Sequence, residues 1–88
     1  MPDDIHLDRL PDVLGQRRDG RSSLYLDIQR GVWTPPVKFG RASAWPHHEV
    51  QVLLRARIAG ATKSEQRELV QRLIAQRRAL LPQSMQAA

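Results

Sequence analysis

Cations, not nucleophiles, are the chemically distinctive side chains of this sequence. Arg17 and Arg18 share one polar stretch, and Arg21 opens the run Arg21-Ser-Ser-Leu-Tyr25. Arg30 closes that segment, and Lys38 and Arg41 flank Gly40. Arginine presents a planar fork of donors that pairs bidentately with guanine or phosphate, and serine and tyrosine hydroxyls bond phosphate oxygens. The expected chemistry is therefore recognition of a polyanion. Bond-making chemistry has no comparable set: no Ser/His/Asp group, phosphate-cradling glycine loop or pair of catalytic carboxylates can be assembled, so the expectation is a non-enzyme without cofactor. His47 and His48 are adjacent, so on a helix they face different ways. With no cysteine and no third spaced histidine to complete a site, no metal is expected.

Charge supports the same direction. The formal net charge is +5, and it is unevenly placed. Residues 1–16 carry Asp3, Asp4, Asp8 and Asp12 against Arg9 alone, whereas the rest of the chain has thirteen Lys/Arg against five Asp/Glu. A basic body behind an acidic lead-in fits a polyanion partner; a solvated basic face is the plainer alternative. At 88 residues there is room for one domain with one modest core. The absence of cysteine excludes disulfides and thiolate metal sites. No apolar run reaches the length of a membrane span, and the N-terminus lacks a signal pattern, so a cytoplasmic, nucleoid-associated protein is expected.

The elements that must hold these cations are legible in outline. Leu10, Val13 and Leu14 share a helical face, with Pro11 and Asp12 suited to a first turn. A polar turn over 16–20 follows, with Asp19 available to cap the next helix. That helix spans about 21–30, with Leu24 and Ile28 inward, Ser22, Leu26 and Arg30 outward, and Gly31 as its stop. Pro35-Pro36 forces extended chain, and Val37-Lys-Phe39 alternates as a half-buried strand does. Gly40-Arg41 then makes a hairpin turn into Ala42–Trp45, a short pair expected to be a wing and not a sheet. Val50, Leu53, Leu54 and Ile58 mark a helix to about residue 59, ended by Gly60. Thr62-Lys-Ser-Glu65 opens a last helix with Leu69, Val70, Leu73, Ile74, Leu80 and Leu81 as its apolar residues. Trp33, Trp45, Tyr25 and Phe39 cluster between Leu24 and Pro46, which suggests one small core at the junction of helix and hairpin.

Taken together, Arg9-Leu-Pro-Asp-Val-Leu, Arg21-Ser-Ser-Leu-Tyr, Gly31, Pro36-Val-Lys-Phe-Gly, Trp45 and Glu49-Val resemble the AlpA-type regulators and small excisionases of prophages and integrative elements. The similarity covers roughly residues 8–59. It implies a winged helix-turn-helix related to the MerR DNA-binding domain, with the Arg21 helix in the major groove and the Gly40-Arg41 hairpin as wing. It also implies a role in transcription, or as a recombination directionality factor that bends DNA at an element's end and steers an integrase toward excision. The chain departs from the family pattern in three places. Arg17-Arg-Asp-Gly20 replaces a Thr-Gly-Leu-Ser-like turn, Leu26-Asp27 stands where a basic residue is common, and residues 62–81 extend past the minimal domain. Asp27 would repel phosphate, so it should face away or pair with an arginine.

The expected architecture is mainly α with a small β-hairpin wing: a flexible arm over 1–7, a winged helix-turn-helix over 8–60, an extra C-terminal helix over 61–82 and a disordered tail over 83–88. The expected double-stranded DNA contacts are Arg21, Ser22, Ser23, Tyr25, Lys38 and Arg41, with Arg17, Arg18 and Arg30 as backbone contacts or solvated charge. Tyr25 serves equally as a structural residue. The last helix either packs on the domain or offers Leu73, Ile74, Leu80 and Leu81 to a second copy or another protein, with Arg72, Arg77 and Arg78 as a basic rim. A protein–protein adaptor built on that helix is the competing class.

Overall fold

The structure, a computed structural model, describes residues 5–86. Its elements follow in the order β1 (Leu7–Arg9), α1 (Leu10–Arg17), α2 (Arg21–Gln29), β2 (Val37–Phe39), β3 (Ala42–Pro46), α3 (His47–Ile58), α4 (Lys63–Arg78) and α5 (Gln83–Gln86). The fold is mainly helical with one small antiparallel sheet.

Helix α1 starts where Asp12 accepts a hydrogen bond from the Arg9 amide at 3.0 Å, with Pro11 in the first turn. It buries Val13 and ends at Arg18, a non-glycine residue in the left-handed region at φ 62°. Only Arg18, Asp19 and Gly20 separate it from α2. Asp19 does not cap α2: Gly20 takes the cap position without a side-chain bond, and the Asp19 carboxylate is held by Arg17 instead. Leu24 is fully buried and Ile28 packs partly against the core. Gly31, at φ 80°, turns the chain back so that the Val32 amide reaches the Asp27 carbonyl at 3.0 Å.

The chain after Gly31 runs inward. Val32, Trp33 and Thr34 are buried before Pro35-Pro36 leads out to the hairpin. The hairpin has the expected strands, but it is not alone. Leu7, expected to end a flexible arm, and Asp8 and Arg9, expected to lead into the first helix, form an edge strand on β3 in the order β1-β3-β2, pairing Leu7 with Pro46, Asp8 with Trp45 and Arg9 with Ala44. The pairing buries Asp8 and makes a three-stranded sheet where a two-stranded hairpin was expected. Residues 1–4 of the expected arm lie outside the described residues.

One hydrophobic cluster joins Val13, Leu24, Trp33, Trp45, Val50, Leu53, Val70 and Leu73. Both tryptophans are fully buried, and the Trp45 indole donates to the Thr34 carbonyl at 2.9 Å. Tyr25 and Phe39, expected in the same core, are exposed, Phe39 by 53%. Ile58 falls off the end of the α3 stripe and is 85% exposed.

The capping box of α4 forms as expected: Thr62 Oγ1 accepts from the Glu65 amide, and the Thr62 amide donates to Glu65 Oε1 at 2.8 Å. The boundary expected at residue 60 does not divide the core, because Val70 and Leu73 pack into the same cluster as α1–α3. Leu73 is therefore core and not a docking residue, and Ile74 packs partly against that core. Leu80 and Leu81 lie beyond the end of α4, Leu80 exposed and Leu81 half-buried. Of the expected basic rim, Arg77 turns inward to Glu49 and Arg72 pairs with Glu68. The tail expected to be disordered forms the single turn α5, from which the Gln86 amide bonds the Ala79 and Leu81 carbonyls. Residues 87–88 lie outside the described residues.

Candidate nucleic-acid interface

Helix α2 displays its polar residues because Leu24 is its inward anchor. Arg21, Ser22, Ser23, Tyr25, Leu26, Gln29 and Arg30 are all exposed. Its first turn carries no acidic residue and no side-chain cap, so the positive end of the helix dipole and the leading amides face outward beside Arg21. Arg18 is exposed in the turn immediately before it.

Arg17 behaves differently from the other cations. Its side chain is 1% exposed, and its guanidinium grips Asp19 at 2.9 and 2.6 Å and Asp27 at 2.8 Å. The group also stacks on Trp33, 4.4 Å from the ring centroid, with Arg57 5.1 Å from the same ring. Arg57 completes the cluster by donating to Asp27 at 2.8 Å. Burial works against the Arg17 charge, but the bonds from Asp19 and Asp27 outweigh it and raise its pKa above the ordinary arginine value. Burial likewise opposes the Asp27 carboxylate, and the bonds from Arg57 and Arg17 overcome it, holding its pKa below the usual value. The expected backbone contact or solvated charge at Arg17 is thus corrected: its Nε and Nη2 bond Asp19 and Asp27 inside the fold, bracing α2 against α1 and α3, and Nη1 is buried without a hydrogen-bond partner among the described residues. The expectation that Asp27 pairs with an arginine holds, with two partners.

The hairpin carries two further cations, Lys38 and Arg41. Gly40 turns at φ 62°, a conformation that suits glycine, and Arg41 follows it, exposed. Lys38 is exposed and donates across the hairpin to Ser43 Oγ at 2.6 Å, its partner in the strand register.

Acidic groups are consumed internally. Asp12 and Glu65 cap helices, Asp19 and Asp27 hold Arg17, Glu68 pairs with Arg72, and Asp8 is met by Gln16 and His47. Glu49, read from sequence as an early-helix carboxylate, is fully buried and binds Arg77 bidentately at 2.8 and 2.6 Å. Every carboxylate among the described residues is therefore engaged. Arg18, Arg21, Arg30, Lys38 and Arg41 have no carboxylate partner among those residues.

A second constellation was not visible in the sequence. His6, Asp8 and His47 come together at the sheet edge, with His47 Nδ1 2.7 Å and His6 Nε2 3.4 Å from the Asp8 carboxylate. His47 and His48 are chain neighbours on different faces of α3, and the second imidazole beside Asp8, His6, arrives through β1–β3 pairing. Its signal in the sequence is slight: His6 and Asp8 share the period of two that puts residues on one face of a strand.

Comparison with protein-family models, curated proteins and solved structures finds no match.

Proposed function

We propose that this chain is a sequence-preferring DNA-binding protein of the excisionase type. In this reading α1 and α2, with the three residues between them, are a helix-turn-helix, and β2–β3 is its wing. Helix α2 enters the major groove, with Arg21 toward base edges and Ser22, Ser23 and Tyr25 toward bases or phosphate. Lys38 and Arg41 follow the backbone, Arg41 reaching a minor groove, and Arg18 and Arg30 add phosphate contacts. The observation that carries the proposal is the division of charge: every carboxylate among the described residues is engaged within the fold, and exposed cations without a carboxylate partner among those residues include Arg18, Arg21, Arg30, Lys38 and Arg41 on α2, its leading turn and the hairpin, beside Arg9, Arg55, Lys63, Arg67 and Arg78 on β1, α3 and α4. A chain that engages its carboxylates within the fold and leaves exposed cations without partners is suited to meet an external polyanion. The resemblance in Arg21-Ser-Ser-Leu-Tyr and Pro36-Val-Lys-Phe-Gly supports assignment to recombination directionality, in a nucleoid setting with an integrase as partner and self-association on DNA. Regulation of transcription is the alternative served by the same surface.

The test is fluorescence anisotropy with duplexes selected from a random pool, against scrambled duplexes, over a salt series. A preference of about three decades and a log–log salt slope of about −0.9 for each phosphate contact are expected. Arg21→Glu and Arg41→Glu should abolish binding while leaving the circular-dichroism spectrum intact. Unchanged affinity in both variants refutes the proposal, and tight binding of a protein partner by Leu80 and Leu81 without sequence-preferring DNA binding would favour the adaptor class. An excisionase needs an integrase to show activity, whereas a repressor acts without one; recombination assays with and without integrase separate the two roles.

A further inference from the structure

Asp8 is a buried carboxylate without a permanent cation. Its side chain is 4% exposed, and among the described residues no lysine or arginine pairs with it. Its neighbours are the Gln16 amide at 2.9 Å, His47 Nδ1 at 2.7 Å and His6 Nε2 at 3.4 Å. Buried charge is costly unless a counter-charge meets it. Two imidazoles converging on one carboxylate are a donor set for a cation.

The backbone builds this set. Leu7 pairs with Pro46, so the flanking His47 amide donates to the His6 carbonyl at 2.8 Å and fixes the two histidines opposite one another. Their rings stack with centroids 4.6 Å apart. Asp8 lies two residues from His6, on the same face of the strand. A supporting layer stands behind the carboxylate: Gln16 holds Asp8 through its amide nitrogen, and Gln51 donates to the Gln16 carbonyl oxygen at 3.2 Å. Carboxylates that ligate metals are held by such outer partners.

We infer that His6, Asp8 and His47 form a site for a divalent transition-metal ion of the zinc class, with both imidazoles and the carboxylate as ligands and water completing the shell. Two nitrogen donors and no sulfur suit Zn²⁺, Cu²⁺, Ni²⁺ or Co²⁺ and disfavour Mg²⁺ and Ca²⁺, which take oxygen donors. The three ligand atoms lie within 4.8 Å of one another. Zinc bonds of about 2.0–2.1 Å place tetrahedral donors about 3.4 Å apart. The His6–Asp8 separation already matches, the His47–Asp8 contact opens slightly, and the His6 ring, 69% exposed, is free to swing onto the ion. His48, exposed on the next residue, takes no part. The ion would clasp β1 to the start of α3, an effect independent of DNA.

Isothermal titration of tag-free full chain with ZnCl₂ alone, without DNA, tests this. The expected result is one ion per chain, bound at micromolar or tighter affinity, with a rise in Tm. Co²⁺ should give visible absorption bands of a nitrogen–oxygen site. His6→Ala, which removes an exposed ring, and His47→Ala should each weaken binding by at least about tenfold with circular dichroism unchanged. His48→Ala should bind as the parent does. Absence of binding up to 1 mM Zn²⁺ (about −4.1 kcal/mol at most) would overturn the inference and leave a hydrogen-bonded trio. Equal binding by His6→Ala and the parent, or equal loss in His48→Ala, would overturn it as well.

Discussion

Arg17 and Arg21 carry the same group one helical turn apart in sequence number, yet the fold uses them for opposite purposes. Arg17 is buried between Asp19, Asp27 and Trp33, and Arg21 stands exposed at the head of α2. Arg17→Ala should cost about 2–3 kcal/mol in urea unfolding, because Asp27 loses a charged bond and the Trp33 face its cover. Arg21→Ala should stay within about 0.5 kcal/mol of the parent and lose DNA affinity instead. The same cluster sets an acid limit. The folded chain keeps Asp27 ionised to lower pH than the unfolded chain does, so the stability it contributes is complete above about pH 4 and is lost as pH falls through its lowered value. Urea titrations at successive pH values should show that loss, and Asp27→Asn should remove this component of it. Arg18 presents a different contrast, since a non-glycine residue at φ 62° is strained. Arg18→Gly should stabilise the chain by about 0.5–1 kcal/mol, the relief of strain exceeding glycine's greater entropy loss, while removing a proposed phosphate contact. Anisotropy alongside urea unfolding reads both effects.

Helices α2 and α4 differ in how they are held. Helix α2 has a single fully buried residue, Leu24, and relies on Asp27 for its polar anchorage, supplemented by Arg67 of α4 bonding the Arg30 carbonyl at 3.1 Å. A helix so attached keeps most of its circumference free for a partner. Helix α4 gives Val70 and Leu73 to the core, and Arg77 to the buried Glu49. A chain ending at Gly60 would lose those side chains, each contributing about 1.5–3 kcal/mol of burial, and leave Glu49 buried without its cation. That truncation should show little helical signal and no cooperative melt by circular dichroism. A cooperatively folding 1–60 fragment would refute the claim that α4 belongs to the core.

At the scale of the whole molecule, the body is small, 39 × 29 × 25 Å, and buried Glu49 is balanced by Arg77 while buried Asp8 meets only histidines and Gln16 among the described residues. Its basic character resides in surface cations, Arg18, Arg21, Arg30, Lys38 and Arg41 on α2, its leading turn and the hairpin among them, with Arg9, Arg55, Lys63, Arg67 and Arg78 on β1, α3 and α4. If those cations act as proposed, Arg41→Ala should reduce the magnitude of the log–log salt slope of DNA binding by about one while weakening affinity on all sequences. Arg21→Ala should act mainly on discrimination between sequences. Among the described residues no helix is long and apolar enough to cross a membrane.

Local signals determined much of this protein. Glycines at 31, 40 and 60, the Thr62–Glu65 capping pattern and the apolar spacing of Leu10, Val13 and Leu14 act within a few residues, so the helices, hairpin turn and basic projections were legible without a structure. Tertiary structure decided what distant residues do to one another. Strand pairing brought Leu7–Arg9 to β3 and His6 to His47, and packing turned Arg17 and Glu49 from surface charges into buried partners of Asp27 and Arg77. Periodicity also cannot say where a core ends, which is why Phe39 and Ile58 lie exposed on patterns that predict burial. The physical reason is one of range. Caps, turns and helical faces are encoded by neighbours along the chain, whereas the desolvation that makes a carboxylate demand its arginine or its imidazoles arises only when separate elements close over it.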